Sequence, residues 1–224
     1  MSVEPAAVVF DLDGVLLDSE QAWDDARQDL VREHGLPWTE EATRAMMGMS
    51  SREWPVYVRD ALRVPLTAEE INDDIVGRVL ARYRGDLPLL PHARETVARI
   101  ADAFPIALAS SSNRVIIDEV LATMGVRERF TAVVSSEEVA RGKPAPDVYL
   151  EAARQLGVDP AACVAVEDSE NGVKAAVAAG MRTVAYPNPH FPPSGDALAL
   201  AAAVVGGLEE LTPALVRQAF SAAG

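Results

Sequence analysis

Asp11-Leu12-Asp13-Gly14, Ser110-Ser111-Ser112, Gly142-Lys143-Pro144 and Glu167-Asp168-Ser169 are the stretches of this 224-residue chain whose residue types could carry chemistry. Three of them stand where an apolar run stops; the lysine precedes a helical pattern that follows another such run. Carboxylates from two run ends supply hard oxygens suited to Mg²⁺, which binds through a few carboxylates together with substrate phosphate. Lys143 and the Ser110 hydroxyl, or its neighbours Ser111 and Ser112, can hold the remaining oxygens of a phosphate. A phosphate dianion repels an anionic nucleophile, so carboxylate attack requires that charge to be neutralised first. With it neutralised, Asp11 can attack phosphorus and form an aspartyl phosphate. Asp13, two residues on, can protonate the leaving oxygen and later take the proton of the hydrolytic water. Gly14 lets the chain turn sharply after the two carboxylates.

Each cluster also has a plainer reading. Asp11 and Asp13 could belong to a calcium loop, but position 15 is Val and the glycine falls fourth rather than sixth. Glu167-Asp168 could cap a helix, and Lys143 could be a solvated lysine ahead of a proline-started helix. Gly142-Lys143-Pro144 is not a nucleotide-binding loop, which needs Ser or Thr after the lysine and an upstream glycine. Cys163 begins an apolar run and reads as a small core residue. His34, His92 and His190 have no metal-ligand spacing and read as loop or helix-end residues.

The elements that must position these groups alternate in type. The runs AAVVFD (6–11), PIALASS (105–111), FTAVVSS (130–136), CVAVED (163–168), RTVAYP (182–187) and AAAVVG (201–206) are short and nearly uninterrupted. Such runs are expected of strands covered on both faces. NRVIIDEVLATMG, DVYLEAARQLG and NGVKAAVAAG are helical patterns that close on glycine. The alternation predicts an α/β fold, a Rossmann-like parallel sheet with helices on both sides, whose ligands bind beyond the carboxyl ends of the strands. Residues 17–87 break the rhythm with helical patterns near 19–34, 39–48, 52–62 and 67–84 and no convincing strand. Pro55 lies inside the third, so that helix is expected to start late or to kink. About 70 residues is too long for a strand-to-helix loop, so 17–87 is read as a small helical domain inserted in a core of 1–16 and 88–224. Asp18-Ser19 and Leu87-Pro88 are its expected hinges.

Composition narrows the partners. Acids number 34 against 20 Lys and Arg, a net charge of −14 that repels nucleic acid and anionic membranes. No run approaches a membrane span, and MSVEPAAVVFDLDG lacks the basic start of a secretory signal. A single cysteine makes a reducing cytoplasm the default compartment. The expected partner is a small phosphorylated metabolite, and the expected assembly a monomer or weak homodimer.

In detail, DLDGVLLDSE (11–20), ASSSN (109–113), GKPAPD (142–147) and VEDSENG (166–172) resemble the four ordered motifs of the haloacid dehalogenase superfamily. With a helical insert after the first motif and YPNP at 186–189, the chain is similar to the β-phosphoglucomutase-like phosphatase branch, over essentially its whole length. The resemblance implies that Asp11 is the nucleophile, Asp13 the acid–base, and Ser110 and Lys143 phosphate ligands. It makes Asp168 a Mg²⁺ ligand assisted by Glu167, with the Asp11 side chain and the Asp13 carbonyl completing the protein's share of the shell. It makes the insert a mobile cap that excludes water and reads the leaving group, with Trp23, Met49, Arg52 and Trp54 as candidate substrate contacts.

Single positions discriminate among relatives of that family. Dehalogenases and phosphonate-cleaving members lack the second acid, and the latter use a cap lysine; here Asp13 is present and 17–87 contains no lysine. Mutases of the branch use a cap histidine whose register falls here at Trp23, and an arginine that falls one residue late, at Arg52 after Gly48-Met49-Ser50-Ser51. The expected activity is hydrolysis of a sugar phosphate or similar phosphomonoester. A sugar phosphomutase is the alternative, and a non-catalytic scaffold that binds a phosphorylated ligand stands behind both.

Overall fold

A computed structural model describes residues 4–46, 49–189 and 192–222; Gly48 and His190 lie outside the described residues. Six parallel strands form one sheet in the order β3-β2-β1-β4-β5-β6. They are β1 (Ala7–Phe10), β2 (Ile106–Ser110), β3 (Phe130–Ser135), β4 (Cys163–Glu167), β5 (Arg182–Ala185) and a two-residue edge strand β6 (Ala203–Val204). All six expected runs are strands, in an α/β fold of the Rossmann-like type.

Both faces of the sheet are covered, which is why the central strands read as unbroken apolar runs. Ala7, Val9, Ala107 and Ala165 pack with Val148, Tyr149, Ala152 and Ala153 of α7 (Asp147–Leu156) and with Ala175 and Ala176 of α8 (Glu170–Ala178). The alternate residues Val8, Phe10, Ile106 and Leu108 join Val97 and Ile100 of α5 (Ala93–Ala101) and Ile116 and Ile117 of α6 (Arg114–Met124). Val216 of α10 (Pro213–Ser221) closes that side. Helices α5 and α10, and the four-residue α9 (Gly195–Leu198), fall outside the helical patterns singled out in the sequence.

Between β1 and α5 the described residues carry four helices: α1 (Glu20–Glu33), α2 (Glu40–Met46), α3 (Trp54–Asp60) and α4 (Ala68–Gly85). Pro55 sits in the first turn of α3, where its missing N–H costs nothing, so the helix starts late and is not broken. Thr67 opens α4 with a reciprocal capping box to Glu70. Arg78–Glu33 and Arg82–Asp29 ion pairs tie α4 to α1. The two connecting strands run side by side: Asp18 N–H donates to the Pro88 carbonyl (2.8 Å) and Leu90 N–H to that of Leu16 (3.0 Å). Among the described residues, no helix is long and apolar enough to cross a membrane.

Candidate active site

Strand β1 lies between β2 and β4, with Phe10 beside Leu108 on one side and Val166 on the other. The residues that follow these three strands therefore emerge at one rim. Asp11 continues the ladder by donating its N–H to the Val166 carbonyl (3.0 Å), which fixes its carboxylate next to Glu167 and Asp168. Lys143 reaches in from the loop before α7 and bridges them, its Nζ 2.8 Å from Asp11 Oδ1 and 2.6 Å from Glu167 Oε1. The peptide between Lys143 and Pro144 is cis.

Glu167 is the buried hub of this group. Its Oε1 also accepts the Tyr149 hydroxyl (2.6 Å), and its Oε2 accepts the Asp168 N–H (3.1 Å) and the Ser169 hydroxyl (3.2 Å). Two glycines make room for the acids. A Cβ at Gly14, whose φ is +79°, would lie 1.9 Å from Asp168 Oδ2, and one at Gly172 would lie 1.9 Å from the Glu167 carboxylate. Ser169 caps α8 by accepting the Gly172 N–H, so the cap reading holds for Ser169 rather than for the two acids before it.

Asp13 stands at the other side of the rim. Its Oδ2 accepts the Ser112 hydroxyl (2.6 Å), and the Ser110 hydroxyl lies 3.4 Å away. The Ser110 oxygen accepts the Ser112 N–H (3.0 Å) and is fully buried, while Ser111 and Ser112 border the open cavity. The other oxygen of Asp13 is buried without a partner among the described residues.

The donor set fits a divalent cation. Oxygens of Asp11, Glu167 and Asp168 all lie within 4.8 Å of one another. Three carboxylates against one ammonium leave a buried excess of negative charge. Burial first, then the charge of neighbouring acids, pushes the Asp11 and Asp168 carboxyls above their ordinary range, against the pull of Lys143. A hard cation with oxygen ligands would relieve that excess.

Above the rim opens a cavity of about 750 Å³, walled by the strand ends on one side and by α1, α2 and the segment before α3 on the other. Trp23, Met49 and Trp54 line it, as do Asp11, Asp13 and Lys143. Arg52 does not: it donates to the Glu137 carbonyl and borders a separate cavity of about 360 Å³ with Ser50 and Arg141. Its place near the entry to α3 was legible in sequence, but the turn directs its guanidinium to the neighbouring core loop. Two wall or support residues escaped sequence reading. Arg27 faces the cavity one helical turn after Trp23, and a stripe of period four would have flagged it. Tyr149 lies in the buried stripe of α7, where a phenol requires a polar partner.

A model of the haloacid dehalogenase-like hydrolases matches residues 5–180. The chain belongs to that family. It is 34% identical over 212 residues to hexitol phosphatase B of Escherichia coli (strain K12), covering 92% of this chain and 94% of the relative. It is 32% identical over 192 residues to the fructose-1-phosphate phosphatase YqaB of the same strain, over 80% and 95% of the two chains. The structure of β-phosphoglucomutase from Clostridium difficile superposes with a TM-score of 0.82 at 20% identity over 96% and 97%, a likeness of fold. As a member of this haloacid dehalogenase-like family with phosphatases among its relatives, the chain is a phosphomonoester hydrolase.

Proposed function

We propose that the chain is a Mg²⁺-dependent phosphatase that hydrolyses a sugar phosphate or similar phosphomonoester through an aspartyl phosphate on Asp11. The observation that carries the reading is the Asp11 carboxylate held by Lys143 beside Glu167 and Asp168 at the floor of the cavity, with Asp13 on the opposite lip. Its relatives include hexitol phosphatase B and a fructose-1-phosphate phosphatase, which supports a small phosphorylated polyol or sugar.

In this reading Asp11, Asp168 and Glu167, with the Asp13 carbonyl, would hold the metal, which would supply positive charge to offset the phosphate dianion. Lys143 and Ser111, both on the cavity wall, orient the phosphate oxygens, and Ser110, buried behind them, holds the loop through the Ser112 N–H. Asp11 Oδ attacks phosphorus as the ester oxygen departs, and Asp13 gives that oxygen its proton. The Ser112 hydroxyl keeps the Asp13 carboxyl aimed while it does so. Asp13 then takes a proton from water as the water oxygen attacks phosphorus and the bond to Asp11 breaks. Residues 17–87 act as a cap over the core. Polar contacts join it to the core, among them Ser51 N–H to the Ser111 carbonyl (3.3 Å), Ser51 Oγ to Ser136 Oγ (3.1 Å), Asn113 Nδ2 to Asn72 Oδ1 (2.9 Å) and Arg84 to Glu119 (3.1 Å), and these would break and re-form as the segment opens and closes around substrate. Hydrolysis is favoured over phosphoryl return to the product because position 23 carries an indole packed on Trp54, with no imidazole there to restrain the Asp13 proton.

The test is phosphate release from p-nitrophenyl phosphate and a panel of sugar phosphates, with Mg²⁺ and with chelator. Asp11→Asn is expected to abolish turnover, and Asp13→Asn to lower it about 10²–10⁴-fold. Near-normal turnover by Asp11→Asn would rule out the covalent route. Formation of an isomeric sugar phosphate in place of free phosphate would establish the mutase instead.

A further inference from the structure

The cap wall of the large cavity carries one guanidinium, that of Arg27, and nothing among the described residues uses its donors. Its carbon Cζ lies 5.3 Å from the ring centroids of both Trp23 and Trp54. The two rings meet edge to face at 5.9 Å, so the side chain is pinned by stacking rather than by an ion pair. Its Nε is buried without a hydrogen-bond partner. The nearest acid on the same helix, Asp24, is already engaged: its oxygens accept Gln28 Nε2 (2.5 Å) and the Thr43 hydroxyl (2.8 Å). An anchored, unspent donor on a substrate-sized cavity is a recognition group in waiting.

Charge selects what it can recognise. The cavity wall carries Asp18, Glu20, Asp24 and Glu170, the last paired with Lys174, and among the described residues that line it Arg27 is the one cation besides Lys143. A second phosphate or a carboxylate on the leaving group would meet a wall with more acids than bases. A hydroxyl meets no such repulsion, because it accepts from Arg27 and donates to a neighbouring carboxylate. We infer that Arg27, held between Trp23 and Trp54, is a specificity residue that binds a hydroxyl of an uncharged, polyhydroxylated leaving group, while the acids around it disfavour doubly anionic esters. This assignment rests on the phosphatase reading above and adds to it the residue that reads the leaving group and the charge that group must lack.

The experiment compares kcat/KM of the unaltered chain, Arg27→Gln and Arg27→Lys on four esters: p-nitrophenyl phosphate, glycerol 3-phosphate, a hexose 6-phosphate and a hexose bisphosphate. The unaltered chain is expected to prefer the hexose monophosphate over the bisphosphate. Arg27→Gln is expected to lose about 10- to 100-fold on the hydroxyl-bearing monophosphates, mainly through KM, and no more than about threefold on the nitrophenyl ester. Arg27→Lys should show the same pattern with a smaller loss, since an ammonium keeps the charge but not the planar fork. Turnover of the nitrophenyl ester reports that each variant is folded, and the lysine variant carries the test if glutamine prevents folding. An equal loss on all four esters, no loss on any, or a bisphosphate preference that Arg27→Gln abolishes would each overturn the assignment while leaving the phosphatase intact. No phosphate from any ester with the unaltered chain would overturn both.

Discussion

Replacing Tyr149 with phenylalanine isolates one bond at the base of the site. The side chain is fully buried, and its hydroxyl donates to Glu167 Oε1 at 2.6 Å. Burial, and then the charges of Glu167 and Asp11, hold the phenol well above its ordinary range, so it stays a donor at any working pH. Phenylalanine keeps the ring on which Lys143 Nζ rests, 5.0 Å from its centroid, and removes only the O–H. A hydrogen bond to a charged group is worth about 1.5–3 kcal/mol. For a chain of this size each kcal/mol moves the thermal midpoint by about 2–4 °C, so a fall of about 3–12 °C is expected. The same bond orients a proposed metal-side carboxylate, and loss of such a supporting partner typically weakens metal binding about 10- to 100-fold. Thermal unfolding in chelator measures the first effect, and the Mg²⁺ concentration that half-saturates phosphate release measures the second. A midpoint within about 1 °C of the unaltered chain, with an unchanged Mg²⁺ requirement, would show that the hydroxyl does not hold Glu167.

Three further outcomes follow from the geometry. Burial raises Asp11 from an ordinary 3.8 to about 7, so its contribution to stability is full below about 3.8 and is lost as pH rises through about 7. In chelator the unaltered chain should therefore lose stability relative to Asp11→Asn between about pH 4 and pH 7.5, and parallel unfolding curves would refute this. Gly14→Ala combines a left-handed φ, which costs about 1–2 kcal/mol for a residue with a Cβ, with a contact of 1.9 Å to Asp168 Oδ2. It should cut kcat/KM more than about tenfold by displacing Asp168, which kinetics across a Mg²⁺ titration would register. Thr67→Ala, which removes the reciprocal cap of α4, should cost about 1 kcal/mol in urea unfolding and leave turnover within about twofold.

The core was readable because its physics is local. A strand covered on both faces must be apolar at every position, so Val8, Val9 and Phe10 mark β1 without knowledge of its neighbours. Where such a run ends in acids, a parallel sheet brings those ends to one rim, and Asp11, Glu167 and Lys143 meet there. Helix α5 was less legible: His92 precedes it with φ of +64° and no side-chain cap bond, so the usual start signal is missing. The edge strand β6 keeps only two of its expected six residues, since one partner strand and partial exposure support less pairing. Tyr149 was hidden for another reason. Its buried ring looks like any core aromatic until Glu167, eighteen residues later, is placed against it.

The helical segment 17–87 resisted sequence reading because its inward face depends on how its helices pack, and periodicity alone does not say which charged residue escapes solvent. Arg52 and Arg27 illustrate the point. Both stand beside tryptophans in a helical segment, and type and spacing do not separate them. The turn before α3 carries Arg52 across to Glu137, where it helps join the two parts of the chain. In α1, by contrast, Trp23 and Arg27 are one turn apart and share a face, and Trp54 of α3 packs against both. The indoles keep water from one side of the guanidinium without supplying a hydrogen-bond acceptor, so desolvation, its largest influence, lowers Arg27 to about 10 while leaving it cationic at neutral pH. A cation dehydrated in this way gains most from an acceptor that arrives with a ligand. On the assignment proposed above, that gain would let Arg27 discriminate among esters whose phosphate end is identical.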